Sequence, residues 1–237
     1  MYFLDLLGWG EDSWAQQFIV GTLATLEISA GGYLVGLLIG GLFAWMKLRG
    51  GRKAVAVANA YSTVCRSVPE VLLIIILFYA GQSVLNDIVE SLGYDSDEVG
   101  ISGFAAAIIV LGLVQGAYAS EILRGAVLAI PRGQVEAAQA FGLQGRLLFR
   151  RILLPALTPY AIGGLANLWM VIIKDSALIS VVGYNELLFT AKQAAGSTKA
   201  YFFFFLFAGA IYYLITIVSS FFIHLIERRV RRWMPRA

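Results

Sequence analysis

The sequence predicts an all-α integral membrane protein, residues 1–237, that forms a single domain with five transmembrane helices. Two properties of the chain support this fold class. Hydrophobic residues make up 59% of the 237 residues and charged residues only 14%, with a mean hydropathy of +0.77, whereas a soluble domain has about 25% charged residues. Five apolar runs are also close to or longer than the roughly 20 helical residues that cross a hydrocarbon core. These runs cover approximately residues 18–46, 68–85, 102–123, 155–174 and 201–226.

The first run carries a glycine pattern that predicts close helix packing. Gly32, Gly36 and Gly40 recur every four residues, which places them on one face of a helix where a second backbone can approach. The run ends in a basic cluster that starts at Lys47. The mildly apolar residues 54–67 follow, and we expect them to form a helix at the membrane surface.

Pro69 marks the start of the second span. Its ring removes a backbone N–H donor, which is best tolerated near a helix start. Arg66 and Glu70 lie on either side of it, four residues apart. We expect these two charges either to pair at the membrane interface or to line a polar path through the membrane.

Polar residues recur at helical spacing in the third and fourth spans. The third span carries Gln115, Tyr118 and Glu121 near its end, which predicts a face directed to water or protein rather than to lipid. The fourth span carries a polar stripe that we expect to face the interior of the helix bundle. The members of this stripe are Tyr160, Gly163, Asn167, Met170 and Lys174. Our candidates for a polar path are Glu70, Gln115, Tyr118, Asn167, Lys174, Asp175 and Ser176. Structural contacts within the bundle are the alternative role for these residues.

Residues 177–197 are too interrupted to form a full span. Glycines and charged residues break the apolar pattern at Gly183, Glu186, Lys192 and Gly196. We therefore expect a short re-entrant or interfacial helix and a loop.

The distribution of lysine and arginine predicts the orientation of the chain. Fourteen of these residues follow the first, third and fifth spans, and two lie on the other side when Arg66 and Lys174 are set aside. Cytoplasmic loops of membrane proteins carry the excess of positive charge. The N-terminus is therefore expected outside and the C-terminus in the cytoplasm, together with the connection at about 124–154. Because the basic residues cluster at the ends of apolar runs, this pattern argues against nucleic-acid binding.

The cytoplasmic connection contains a long polar segment, residues 136–155. We expect a helix from about residue 133 to 141 that Gly142 ends, because glycine adopts the sharp turn after a helix. Ala137 and Ala138 are small enough to let a partner surface approach, and Glu136 is placed to meet a basic partner residue. A basic run starting at Arg146 leads back to the membrane. On these residues alone, the segment is either a docking surface or a simple helical hairpin.

The spacing of this segment resembles the EAA motif of membrane permease subunits of ABC importers. The matching positions are Glu136, Ala137, Ala138, Gly142, Ile152, Leu154 and Pro155. The resemblance extends over roughly residues 21–229. Residues 174–178, Lys-Asp-Ser-Ala-Leu, are similar to a segment of the polar amino acid subfamily, and the chain resembles its histidine, lysine-arginine-ornithine and opine branch.

The resemblance implies a type I importer permease fold in the bacterial inner membrane and a pore-forming subunit that works by alternating access. A periplasmic solute-binding protein would deliver a polar, basic amino acid or a related opine. A second homologous permease subunit would complete the pore as a heterodimer or a homodimer. A cytoplasmic dimer of ATP-binding subunits would bind ATP and Mg²⁺, and this chain would bind no cofactor. The docking residues carried over by the resemblance are Glu136, Ala137, Ala138 and Gly142, and Arg146 of the basic run is added to them.

The sequence contains no recognisable catalytic or metal-binding motif. A phosphate-binding P-loop requires Gly-Lys followed by Ser or Thr, and the chain contains no Gly-Lys dipeptide. With one histidine, His224, and one cysteine, Cys65, it predicts neither a metal cluster nor a disulfide framework. We therefore predict a non-catalytic subunit. The alternatives are an amino acid transporter driven by an ion gradient and a membrane scaffold without transport activity.

Overall fold

The computed structural model describes residues 14–91 and 103–231, and the regular elements in these ranges are helical. A π-helical turn, Phe149–Leu153, and a 3₁₀-helix, Ser176–Val182, flank one of the spans. The α-helices are, in chain order, α1 (Ala15–Arg49), α2 (Arg52–Ser67), α3 (Glu70–Ser91), α4 (Gly103–Leu128), α5 (Arg132–Ala140), α6 (Gly145–Leu148), α7 (Leu154–Asp175), α8 (Leu187–Thr198) and α9 (Tyr201–Arg231).

Five helical segments in the described ranges are long and apolar enough to cross a membrane, which confirms the five predicted spans. They are Ala15–Arg49, Glu70–Ser91, Gly103–Leu128, Gly145–Val182 and Tyr201–Val230. The helices extend past the apolar runs, because helical hydrogen bonding continues into the polar residues at the ends of each run. The helix expected at residues 54–67 is present as α2, and its position at the membrane surface stays a prediction.

The contact between α1 and α4 depends on small residues. Gly32, Gly36 and Gly40 are buried in it. A Cβ atom added to Gly40 would lie 2.5 Å from the Cβ atom of Ala119 and 3.0 Å from the carbonyl oxygen of Gly116. Side chains at these positions would push the two backbones apart. The predicted packing role of the glycine stripe is therefore confirmed.

A break in the helix separates α2 from α3. Val68 is extended, with φ −92° and ψ 138°, as expected for the residue before a proline. Arg66 and Glu70 therefore lie in different helices, and no ion pair joins them among the described residues. Both instead meet Tyr118, whose hydroxyl donates to Glu70 Oε1 over 3.0 Å and whose ring centroid lies 6.0 Å from the guanidinium carbon of Arg66. The expected Arg66–Glu70 pair was wrong because the proline interrupts the helical turn between them.

The start of α1 packs against α8 and the start of α9. Phe18 stacks on Phe204 with ring centroids 5.9 Å apart, and Phe207 meets Phe18 edge-on at 4.9 Å. The helix α8 lies where the sequence predicted a short helix rather than a full span. Gly183, with φ +86°, ends the preceding 3₁₀-helix and redirects the chain toward α8.

The polar stripe of the fourth span faces away from the interior of this chain. Tyr160 is 44% exposed, and Asn167 and Lys174 are also exposed. The opposite face of α7, which includes Ala161 and Ile172, is buried. The expected inward orientation was therefore wrong for the single chain, because burial of the apolar face against α4 and α9 is more favourable.

Candidate functional site

The connection between the third and fourth spans carries α5, a helix of nine residues that is mostly exposed. Its base is anchored in an apolar cluster shared by the ends of α4 and α7. The cluster contains the buried residues Ile130, Leu157 and Ala161, and Val135 of α5 packs against it. Val135 of α5 therefore packs against residues from two spans.

Gly142 ends α5 through two hydrogen bonds that together form a Schellman motif. The N–H of Gly142 donates to the carbonyl of Gln139 over 2.9 Å, and the N–H of Leu143 donates to the carbonyl of Ala138 over 3.0 Å. Gly142 has φ +80°, a left-handed conformation that costs other residues about 1–2 kcal/mol. The prediction that this glycine ends the helix is confirmed.

One face of α5 and the turn after it are open to solvent. Glu136 and Ala137 are exposed, as is Arg146 in α6. Phe141, which the sequence analysis did not select, is 88% exposed at the end of α5. Ala138 is 6% exposed, so the expectation that both alanines face a partner was wrong for Ala138. Consecutive helical residues point about 100° apart, and Ala138 turns toward the interior of the chain.

Four of the predicted polar residues meet between α3, α4 and the end of α7. Besides the bond from Tyr118 to Glu70, Gln115 Nε2 donates to Asp175 Oδ2 over 2.5 Å. The carboxyl groups of Asp175 and Glu70 also interact. Gln115 Oε1 is buried and has no hydrogen-bond partner in the described part of the chain. The cluster therefore presents acceptor oxygens that suit a cationic or hydrogen-bond-donating group.

The other polar candidates lie outside this cluster. Asn167 lies eight residues before Asp175 in α7, about 12 Å along the helix. Asn167 and Lys174 share the exposed polar face of α7. Ser176 is buried, and its hydroxyl donates to the carbonyl of Ile173 over 2.7 Å.

An ion pair with a buried lysine side chain joins α1 to α4 just before α5. In the sequence Lys47 is only one of several basic residues that follow the first span. In the structure its side chain is 2% exposed, and Nζ lies 2.7 Å from Glu121 Oε1. The same ammonium donates to the hydroxyls of Ser62 and Ser120 over 2.5 and 3.1 Å. Arg124 Nε donates to the second oxygen of Glu121 over 3.0 Å. These bonds join α1 and α2 to the end of α4 that leads to α5.

A buried carboxyl group, that of Glu186, caps the start of α8. It accepts hydrogen bonds from the N–H groups of Leu188 and Phe189 over 2.9 and 2.8 Å. The hydroxyls of Tyr212 and Thr25 also donate to it over 2.7 and 3.3 Å. Burial raises the pKa of Glu186, and these donors act in the opposite direction. In the sequence Glu186 was identified only as an interruption, because Ser, Thr, Asp and Asn are the residues usually found at an N-cap.

The fold and these sites together define a multi-span membrane subunit with an anchored, exposed helix between its third and fourth spans and a polar cluster among its spans. Residues 32–232 match the family described as binding-protein-dependent transport system inner membrane component, and the chain belongs to this family. This membership supports a binding-protein-dependent importer over the ion-gradient alternative.

Relatives in this family match almost the whole chain. The chain is 41% identical over 236 residues to the octopine transport system permease protein OccQ of Agrobacterium tumefaciens (strain Ach5). The match covers 100% of this chain and 99% of the relative. It is 38% identical over 217 residues to the histidine/lysine/arginine/ornithine transport system permease protein HisQ of Salmonella typhimurium. This match covers 92% of the chain and 94% of the relative. The resemblance to amino acid and opine permeases is confirmed.

Solved structures give the same fold. One is the crystal structure of an amino acid ABC transporter with histidines, which is 27% identical and has a TM-score of 0.75 over 91% of this chain and 94% of that chain. An inward-facing form of the MetNI methionine ABC transporter is 21% identical, with a TM-score of 0.71 over 91% of this chain and 97% of that chain. The second match shows the shared fold alone. The expected ABC importer permease fold is therefore confirmed.

Proposed function

We propose that this chain is the pore-forming permease subunit of an ATP-driven importer for polar, basic amino acids or related opines. The observation that carries the proposal is the anchored helix α5, which presents exposed Glu136, Ala137 and Phe141 beside the tight turn at Gly142. Such a surface fits a docking helix for a separate ATPase. The names of the octopine and histidine/lysine/arginine/ornithine relatives support the solute class.

In this proposal the N-terminus lies outside and α5 lies on the cytoplasmic side of the inner membrane. The support is the excess of lysine and arginine after the first, third and fifth spans. A cytoplasmic ATPase dimer can then reach α5 directly. ATP and Mg²⁺ are bound by that dimer, and this chain is not catalytic.

A second homologous permease subunit covers the polar face of α7. Asn167 and Lys174 are exposed in a segment long and apolar enough to cross the membrane, and exposure of such groups to lipid is costly. A partner subunit removes that cost, and a solute path between the two subunits uses these polar groups. The partner is a different chain or a second copy of this one.

Coupling follows from the anchoring of α5. When the ATPase dimer closes on ATP, α5 moves with it and carries the ends of α4 and α7 through Ile130 and Val135. The spans then open the path toward the solute-binding protein, and hydrolysis resets them. The carboxyl groups of Glu70 and Asp175 face a cationic solute with complementary charge.

The test is co-purification of the intact complex from native membranes, with this chain as bait. Phe141→Ala removes an exposed aromatic that we expect to act as an interface hot spot, so binding of the ATPase should weaken by about 30-fold, equivalent to about 2 kcal/mol. Ala137→Arg should have a similar effect by steric exclusion. The matched control is Phe202→Ala, because Phe202 is 81% exposed at the start of α9.

The proposal is supported if the native chain and the control retain a P-loop ATPase and the two α5 variants lose it. The docking role fails if both α5 variants retain the ATPase as tightly as the control. The importer proposal fails if the native chain retains no ATPase while other membrane subunits stay bound.

A further inference from the structure

A large cavity opens beside the helix α5 and shares only Glu136 and Arg146 with the residues assigned to docking. It has a volume of about 980 Å³ and lies between the end of α1, the end of α4, α5 and the start of α7. Its walls are mainly apolar and include Trp45, Leu48, Val127, Leu128 and Leu157. Its size is at the upper end of the range for small-molecule pockets.

The charged residues that line the cavity are predominantly basic. Arg49, Arg132 and Arg146 contribute to the lining, and Glu136 is the one acidic residue among the described residues that line the cavity. All three arginines are exposed, and none of them forms an ion pair with another residue in the described ranges. Lys47, only two residues before Arg49, is by contrast fully engaged inside the chain.

An apolar cavity with unpaired arginines suits an amphipathic anion at the membrane surface. Arginine binds phosphate through bidentate hydrogen bonds, and basic pockets between spans recognise anionic lipid head groups. Trp45 is 62% exposed near the end of α1, where aromatic residues commonly meet the head-group region. The combination of charge and apolar surface favours a lipid over a soluble anion.

We propose that this cavity binds an anionic phospholipid, with an acyl chain against Trp45 and Leu157 and the phosphate head group against Arg49, Arg132 and Arg146. The site lies against the base of α5, so a bound lipid would fix the position of that helix relative to α1. This inference depends neither on the proposed function nor on the orientation of the chain, because phospholipids are present on both sides of the bilayer.

Trp45 provides a direct probe. The full complex is reconstituted into phosphatidylcholine vesicles that contain the same mole fraction of brominated phosphatidylglycerol or brominated phosphatidylcholine. Bromine quenches nearby tryptophan fluorescence, and subtraction of the Trp45→Phe signal isolates Trp45 from all other tryptophans. We expect brominated phosphatidylglycerol to quench Trp45 more strongly. Arg49→Gln should lower this lipid preference about fivefold, equivalent to about 1 kcal/mol for one basic residue.

Arg229→Gln is the matched control, because Arg229 is an exposed arginine in α9 that does not line the cavity. It should leave the preference unchanged. Arg49→Lys keeps the charge and should retain part of the preference, which separates loss of charge from loss of folding. Equal quenching by both brominated lipids, or equal losses in Arg49→Gln and Arg229→Gln, would overturn the proposal. Absence of quenching by either lipid would also overturn it, since a protein segment would then cover the cavity.

Discussion

Lys47 and Arg49 lie two residues apart at the end of α1 but have opposite environments. Lys47 is buried, and its ammonium is satisfied by Glu121 and two serine hydroxyls. Arg49 is exposed at the edge of a cavity and has no ion pair in the described part of the chain. A polar group whose hydrogen bonds and ion pairs are all formed within the chain holds spans together. A polar group at the surface without such partners marks a place where another molecule binds.

The same contrast holds for larger regions. The Lys47 and Glu186 networks are closed within the chain, and both join elements that are distant in sequence. The exposed surface of α5 and the polar face of α7 lack such internal partners. We therefore expect substitutions in the closed networks to lower stability and substitutions in the open regions to impair assembly or transport.

The largest effect on stability is expected for Lys47→Met. This change removes three hydrogen bonds of a buried ammonium, to Glu121, Ser62 and Ser120. Each hydrogen bond to a charged group contributes about 1.5–3 kcal/mol, so we expect a loss of about 3–5 kcal/mol. The measurement is thermal unfolding of the purified complex in detergent. Lys53→Met is the control, because Lys53 is exposed and should change stability by no more than about 0.5 kcal/mol. Similar unfolding of the two variants would contradict the proposed structural role of Lys47.

Glu186→Ala should destabilise the protein by about 2–4 kcal/mol, because it removes the cap of α8 and leaves the buried hydroxyls of Tyr212 and Thr25 without their acceptor. Thermal unfolding in detergent is again the measurement. Glu27→Ala changes an exposed glutamate in the same part of α1 as Thr25 and serves as the matched control. If both alanine variants unfold at the native temperature, the Glu186 network does not hold α1, α8 and α9 together.

The features that the sequence predicted correctly depend on local patterns. The length of an apolar run is sufficient to identify a span, and the four-residue spacing of Gly32, Gly36 and Gly40 is sufficient to identify a packing face. The turn at Gly142 was also predictable, because few other residues tolerate its positive φ.

The features that the sequence missed depend on contacts between distant segments. Lys47 is buried because Glu121, in another span, supplies its partner. The polar stripe of α7 was expected to face inward. The helix has one polar and one apolar face along its length, and the neighbouring helices decide which of the two is buried. The inward orientation of Ala138 has the same origin, since it follows from the side of α5 that packs on the chain.

Gly142→Ala tests the turn that ends the docking helix. Alanine at φ +80° costs about 1–2 kcal/mol, which we expect to distort the turn after α5 without unfolding the spans. Stimulation of the ATPase by the solute-binding protein should fall while the thermal unfolding temperature of the spans stays close to native. Gly133→Ala is the control, because a Cβ atom at Gly133 meets open space within the same helix and alanine favours helix formation. Native stimulation in Gly142→Ala would show that this turn does not transmit movement.

Asn167→Ala should change the stability of the chain least, because Asn167 is exposed on the polar face of α7. Loss of one hydrogen bond to a solute or to the second permease subunit, worth about 1 kcal/mol, should lower ATP-driven uptake into proteoliposomes about fivefold. Thr158→Ala is a suitable control, because Thr158 lies nine residues earlier in the same helix, about 180° away around its axis. Thr158 already donates to the carbonyl of Leu154 and should not contribute to a path on the opposite face. A loss of stability in Asn167→Ala without a loss of uptake would show that Asn167 has a structural role. The contrast between polar networks formed within the chain and exposed polar surfaces would then not apply to α7.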